Sequence, residues 1–333
     1  MDSIDVSVAE VTPAAEVYVT DGRAWLSHEI GPEDWTVRLG GAAMDEIRQM
    51  VATLQADPLP MLLRTPDTFD MPLLRESFSR AKNILDQGCG FSVIDRLPMD
   101  DYAIDVMISC YWILGQLIGR NVAQKWDGTM IYDVTDTNQS YETQGVRGSY
   151  TNVELVFHTD NAFGVSVPDY VGLLCRHPAK TGGLSRFCSL YSVHNRMLEH
   201  HPKELRRLYQ PMLFDRQAEH ASKAPKTTWA PFFSWRDGKL SARANTSLVR
   251  KGYDVAAETM DAALVAALEA MDRVSNAEDL WVEAPVARGH MQYLNNHELG
   301  HYRSTFEDHD DPKRKRHLYR TWHRERGQKT YDG

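Results

Sequence analysis

Apolar residues change their spacing along this chain, and the changes mark its elements. Over Ala42–Leu54 and Met71–Leu85 they recur at helical intervals. The second stretch places Leu73, Leu74, Phe78, Ala81 and Leu85 on one side, and Gly88 and Gly90 end it. A third helix is predicted after Pro98, over about 100–118, and a fourth over Thr259–Val274, with Leu264, Leu268 and Met271 on one face. Residues 17–40 read as short strands and turns, at Val17–Val19, Trp25–Leu26 and Trp35–Val37. Phe91–Ile94, Tyr170–Cys175, Leu184–Cys188, Met291–Leu294 and His317–Trp322 read as further strands, with a turn at Thr181-Gly182-Gly183 and a helix from about Ser192. Residues 209–250 show no clear period. Their aromatic residues Trp229, Phe232, Phe233 and Trp235 are either core under a long loop or a substrate lid. Helices first and many strands afterwards predict a sheet-based core buttressed by helices.

One alternating segment carries candidate chemistry. In Asn152-Val153-Glu154-Leu155-Val156-Phe157-His158-Thr159-Asp160, a strand would put Val153, Leu155 and Phe157 on one side. Asn152, Glu154, His158 and Asp160 would fall on the other, with Val156 among them. That is how a barrel would line a polar cavity. His158 and Asp160 could reach one metal ion, and two histidines plus one carboxylate is the ligand set of non-haem Fe(II) oxygenases. His-x-Asp alone is short enough to arise by chance, so the reading needs a third ligand.

Bulk composition narrows the classes. The chain has 333 residues, enough for one large domain or two small ones, and 42% hydrophobic with 25% charged residues is globular composition. A net charge of -9 argues against general nucleic-acid binding. No apolar run approaches a membrane span, and Met1–Asp5 lacks the pattern of a signal peptide. Cys89, Cys110, Cys175 and Cys188 are scattered without a C-x-x-C pair, so a reduced, cytoplasmic protein is expected.

Downstream of His158-x-Asp160 stand Asn295-Asn296-His297-Glu298-Leu299-Gly300-His301-Tyr302-Arg303 and then Arg316-His317-Leu318-Tyr319-Arg320. With these three pieces in this order, the sequence resembles the TauD/TfdA family of Fe(II)- and 2-oxoglutarate-dependent dioxygenases. It is most similar to the clavaminate-synthase-like and γ-butyrobetaine-hydroxylase-like branches, over about Gly88–Trp322. The family's Asn-x-x-x-x-His-x-Arg context falls on Asn296, His301 and Arg303. Two family arginines follow at about the positions of Arg316 and Arg320, and a Thr-Gly-Gly-x-Thr/Ser turn matches Thr181–Ser185. Gly289-His290 and Asn295-Asn296 stand where Gly-Asp and Asp-Asn are common.

The resemblance implies a mainly β fold with flanking helices, a double-stranded β-helix (jelly roll, cupin-like) core. It implies a single dioxygenase domain over 1–333, with N-terminal strands and helices over about 1–120, a core over about 88–325 and a lid-like insert over about 205–280. It implies Fe(II) held by His158, Asp160 and His301, and 2-oxoglutarate held by Ser185 and Arg316, with Arg320 near its C1 end. Arginine suits a carboxylate because its planar fork donates two parallel hydrogen bonds. The implied reaction consumes O2, converts 2-oxoglutarate to succinate and CO2, and oxidises a small molecule, most simply by hydroxylating it. Desaturation, epoxidation or C–heteroatom cleavage by the same oxidant, or a non-catalytic sensor on the same fold, are the other readings. The partner expected is a small-molecule substrate, with neither nucleic acid nor membrane; a homo-oligomer is left open.

Other readings of the residues remain. His297 competes with His301 as the distal ligand, and His297-Glu298-x-x-His301 has the spacing of a zinc-hydrolase helix, although Gly300 suits such a helix poorly. Lys313–Lys315 read as a solvated charge run. Asn152, Glu154 and Arg243 are candidate substrate contacts: the first two for sharing the His158 face, Arg243 for its place in the insert.

Overall fold

The computed structural model describes residues 3–7, 15–57, 59–136, 152, 154–217, 220–221 and 223–332. Eighteen strands occur among them: β1 Ile4–Asp5, β2 Thr36–Arg38, β3 Phe91–Asp95, β4 Arg120–Val122, β5 Tyr132–Thr135, β6 Leu155–His158, β7 Tyr170–His177, β8 Thr181–Gly182 and β9 Ser185–Ser189. There follow β10 Pro211–Asp215, β11 Thr227–Pro231, β12 Phe233–Arg236, β13 Lys239–Ala242, β14 Trp281–Glu283, β15 Met291–Asn295, β16 Leu299–Arg303, β17 Phe306–Glu307 and β18 His317–Arg324.

Two sheets hold the site. The larger runs β2-β3-β15-β7-β18-β4, with β5 also paired to β18; the smaller runs β14-β9-β16-β6. They face each other through Phe91, Val93, Val171, Leu294 and Trp322 on one side and Phe187, Val282 and Leu299 on the other. The Phe91 and Phe187 rings stack at 4.2 Å. The expected mainly β core with flanking helices is therefore present, but its two sheets do not join into a closed barrel.

Each sheet buries its other face under helices. Helices Gly41–Ala56, Pro72–Gln87 and Ile104–Gly115 cover the larger sheet through Ile47, Leu74, Phe78 and Ile113, packed with Met291 and Tyr293. Helices Leu190–His200, Thr246–Ala256 and Ala262–Ser275 cover the smaller one, in a cluster with Phe157, Cys188 and Tyr302. Helix bounds match the apolar period to within a few residues. The helix Ala262–Ser275 starts where the Asp261 side chain accepts from the Leu264 N–H, as an N-cap does.

Two stretches differ from expectation. Val17–Val19 and Trp25–Leu26 form no strand; Trp25 is instead buried, with Nε1 donating to the Cys89 carbonyl at 3.0 Å. Residues 209–250 are not irregular. They contain the antiparallel pairs β10–β11 and β12–β13 and the start of the helix Thr246–Ala256. Phe232, Phe233 and Trp235 are buried in the cluster over the smaller sheet, which is the core alternative for those aromatics.

Candidate metal centre and anion pocket

His158 ends β6 and His301 lies in β16, and the register of this antiparallel pair sets them directly opposite each other. Cross-strand partners bring side chains within contact, and the two imidazoles lie 4.1 Å apart, centroid to centroid. Asp160 sits two residues past β6 and closes the group. Its Oδ1 is 3.7 Å from His158 Nε2 and 3.4 Å from His301 Nε2. One donor atom from each of the three lies within 4.8 Å of the other two.

The surroundings fix each donor. His158 Nδ1 donates to the Val156 carbonyl at 2.7 Å, which leaves the Nε2 lone pair facing the other two residues. Asp160 Oδ2 accepts from Trp322 Nε1 at 2.7 Å and pairs with Arg320 Nη1 at 2.9 Å, so Oδ1 is the oxygen left for an ion. Asn296 holds the backbone of the same residue: its Oδ1 accepts from Asp160 N at 2.7 Å and its Nδ2 donates to Asp160 O at 2.9 Å. Thr159 N donates to the Ala244 carbonyl at 2.7 Å, tying the loop to the mid-chain segment.

The electrostatics favour cation capture. Burial pushes His158 down to about 3, helped by the neighbouring His301, so its imidazole is neutral at pH 7. Burial alone would raise Asp160, but Arg320, His301 and His158 outweigh it and hold the carboxyl well below the usual range. Neutral imidazoles and an ionised carboxylate are the protonation states a metal needs.

Beside the triad, a cleft runs between the sheets, lined by Ser185, Gln292, Arg303, Arg316 and Arg320 among others. Arg316 is 5% exposed, and its Nη1 has no hydrogen-bond partner among the described residues. Burial brings it down to about 10. Arg303 is also buried and comes down to about 9, from burial and from Arg316 beside it. The Thr181-Gly182-Gly183 turn makes room for this arginine. Gly183 has φ +65°, and a Cβ there would meet Arg316 Nε at 2.9 Å, so only glycine suits. Arg320 lies nearer the triad, its Nε donating to Gln124 Oε1 at 2.8 Å and its guanidinium packed on the Tyr132 and Trp322 rings.

The structure thus gathers His158, Asp160, His301, Ser185, Arg316 and Arg320 around one cleft. The three candidate substrate contacts do not line it. Between the partners His301↔His158 and Arg303↔Leu155, β6 spends one residue more than β16. This bulge brings Leu155 onto the cleft with His158 and breaks the alternation expected to put Glu154 there. Glu154 instead accepts a hydrogen bond from the Tyr302 hydroxyl, and Asn152 is exposed. Val153, the first apolar residue of that expected face, lies outside the described residues. Arg243 is buried, but its Nη1 donates to the Ala162 and Gly164 carbonyls, and it lines a different, larger cleft. His297 also belongs to that cleft, in the turn between β15 and β16, with Nε2 2.9 Å from Asp169 Oδ1. It is neither on a helix with His301 nor part of the donor group, which removes the zinc-hydrolase arrangement. The positions of Trp322 and Gln124 in the site were not foreseen. Trp322 shares a strand face with Arg320, a signal that could have found it, whereas nothing near Gln124 marks it.

A model of the family described as "Taurine catabolism dioxygenase TauD, TfdA family" matches residues 57–322. The chain belongs to the TauD/TfdA family. This TauD/TfdA protein is 26% identical over 318 residues to the taurine hydroxylase-like protein SAT17 of Stachybotrys chartarum, covering 91% of this chain and 78% of that one. Among solved structures it shares its fold with an asparagine oxygenase solved with Fe(II), (2S,3S)-3-hydroxyasparagine and succinate. The TM-score is 0.64 at 18% identity, over 86% of this chain and 93% of that one. It likewise resembles the non-haem iron oxygenase OrfP solved with Fe, succinate and (3S)-hydroxy-L-Arg, with TM-score 0.61 at 16% identity, over 87% and 94% of the two chains. Membership makes it an oxidoreductase of the dioxygenase type that uses iron and 2-oxoglutarate, and the donor set described above fits such an ion. Among the described residues no helix is long and apolar enough to cross a membrane.

Proposed function

We propose that this TauD/TfdA protein hydroxylates a small molecule, with Fe(II) held by His158, Asp160 and His301 and 2-oxoglutarate held by Arg316 and Ser185. The observation that carries the reading is the convergence of two imidazole nitrogens and one carboxylate oxygen within 4.8 Å, at the edge of a cleft with a buried arginine. Two imidazoles and a carboxylate are the donor set that would hold a non-haem Fe(II) ion and leave it able to take up a 2-oxo acid. When bound, the iron and 2-oxoglutarate supply the oxidising step, with release of succinate and CO2.

The protein's own residues do the rest. Arg320 and Trp322 engage one oxygen of Asp160 and so present the other. Asn296 fixes the loop that carries it. Arg316, buried and short of a partner at Nη1, answers the far carboxylate of the cosubstrate, and Ser185 on β9 offers a hydroxyl to the same group. The ligands in the asparagine oxygenase and OrfP structures, each a hydroxylated amino acid with succinate, support hydroxylation over desaturation or cleavage. We take the chain to be a single catalytic domain, with residues 205–280 walling the metal loop through Ala244, and a cytoplasmic location remains our reading of its composition.

The test is an aerobic assay with Fe(II) and 2-oxoglutarate over a panel of small molecules. Succinate should form in step with a product that gains one oxygen atom. A protein that binds 2-oxoglutarate yet forms no succinate with any substrate is a sensor instead.

A further inference from the structure

Gln292 sits at the centre of β15, between apolar neighbours. Met291 and Tyr293 face the helices, whereas Leu294 faces the smaller sheet. Alternation therefore turns Gln292 inward with Leu294, and it lines the cleft beside the metal triad. It is 1% exposed, and neither its Oε1 nor its Nε2 has a hydrogen-bond partner among the described residues. Its cross-strand partners are Val93 on β3 and Leu173 on β7, which have no side-chain polar atom to offer. A leucine would suit this strand position better, because buried amides that serve the fold are hydrogen-bonded.

The same row of the sheet continues to Arg320, which pairs with Leu173 from the other side. Two strand spacings put the backbones of Gln292 and Arg320 roughly 10 Å apart across the cleft floor. Arg320 Nη2 and Arg316 Nη1 are further buried donors in this cleft without a hydrogen-bond partner among the described residues. Three N–H groups aimed at one space call for an acceptor-rich ligand.

We propose that Gln292 is a further anchor for the dicarboxylate cosubstrate, its Nε2 donating to a carboxylate oxygen on the β15 side of the cleft. The inference rests on the assignment of 2-oxoglutarate to this cleft. Carboxylates accept and do not donate, so Oε1 is left to a water that enters with the ligand. Gln292 is a positioning and binding residue, not a ligand of the ion.

The two roles for a buried amide predict opposite stability changes. An amide that serves the fold loses stability on replacement. An amide kept for a ligand, replaced by an apolar side chain of similar shape, leaves the ligand-free protein as stable or more so. We would measure the ligand-free melting temperature of wild type, Gln292→Leu and Gln292→Met, and titrate 2-oxoglutarate and succinate calorimetrically into the Mn(II)-loaded proteins. The expected result is an unchanged or raised melting temperature with a 2-oxoglutarate Kd raised roughly tenfold or more, as for a lost hydrogen bond to a charged group. Gln292→Glu, which adds a like charge, should weaken binding further. Unchanged 2-oxoglutarate binding in Gln292→Leu overturns the proposal, and so does weaker binding with a lowered melting temperature in both apolar variants. If wild type itself fails to bind 2-oxoglutarate, the assignment of the cleft falls with it, which separates the two failures.

Discussion

Arg320 Nη1 lies 2.9 Å from Asp160 Oδ2, and this pair decides which oxygen of the carboxylate faces the two histidines. Trp322 Nε1 holds the same oxygen from the next inward position of β18. Outer partners of this kind orient a ligand, and their loss costs roughly 10–100-fold in metal affinity. Arg320→Met should therefore weaken metal binding by about that factor while leaving all three ligands in place. Anaerobic titration with Fe(II) or Co(II) measures it, and an unchanged affinity would show that Asp160 needs no such partner.

His301 and His297 stand four positions apart in the chain and in different surroundings. His301→Ala should abolish metal binding and turnover, because it removes one of the three converging donors. His297→Ala should leave metal binding largely intact, because His297 is engaged by Asp169 in the other cleft. Metal content of the purified variants separates the two; the reverse pattern would move the site onto His297.

Arg316 should dominate the affinity for 2-oxoglutarate. Removing one partner of a desolvated charge pair costs about 2–5 kcal/mol, so Arg316→Ala should raise the 2-oxoglutarate requirement roughly 30-fold to several thousand-fold. Ser185→Ala removes one hydrogen bond to a charged group, about 1.5–3 kcal/mol, and should do less. Both variants should retain metal. Wild-type affinity in Arg316→Ala would leave the cosubstrate assignment without its main support.

Acid stability carries a signature of its own. His194 is packed among Tyr209, Phe233 and Trp235, and burial pulls it down to about 4 from 6.5. The unfolded chain therefore binds a proton that the folded one refuses. The contribution is complete above the unfolded value and is lost as pH falls through 6.5 toward the folded value. From about pH 7 to about pH 5 this residue should cost roughly 2 kcal/mol. His323, brought down to about 4 by burial, acts with the same sign. Denaturant unfolding of His194→Phe should show a shallower loss over that range than wild type, and an identical slope would refute the assignment.

The metal triad was legible in the sequence because its chemistry fits into short motifs whose order along the chain survives folding. The placement of the candidate substrate contacts was not, and the reason is local. A single extra residue in β6 decouples Glu154 from His158, and no composition signal announces a bulge. Arg243 read as a candidate substrate contact because its acceptors, the carbonyls of Ala162 and Gly164, lie about 80 positions earlier in the chain. Gln292 read as part of an apolar strand because a lone amide leaves the period unchanged. The strands of 211–242 escaped notice because proline, threonine and alanine dilute their alternation.

The place of β18 also bears on how this protein is made. Residues 317–324 lie inside the larger sheet, between β7 on one side and β4 and β5 on the other. On the ribosome, β4 and β5 emerge well over a hundred residues before the strand that joins them to β7. Until then the nascent sheet carries two raw edges, and such edges are where chains stick to one another. The strand that heals them also brings Arg320 and Trp322 to Asp160. At the proposed site iron should therefore bind more weakly until the sheet is whole, and half-made chains, most exposed to aggregation, gain less from the metal as a staple.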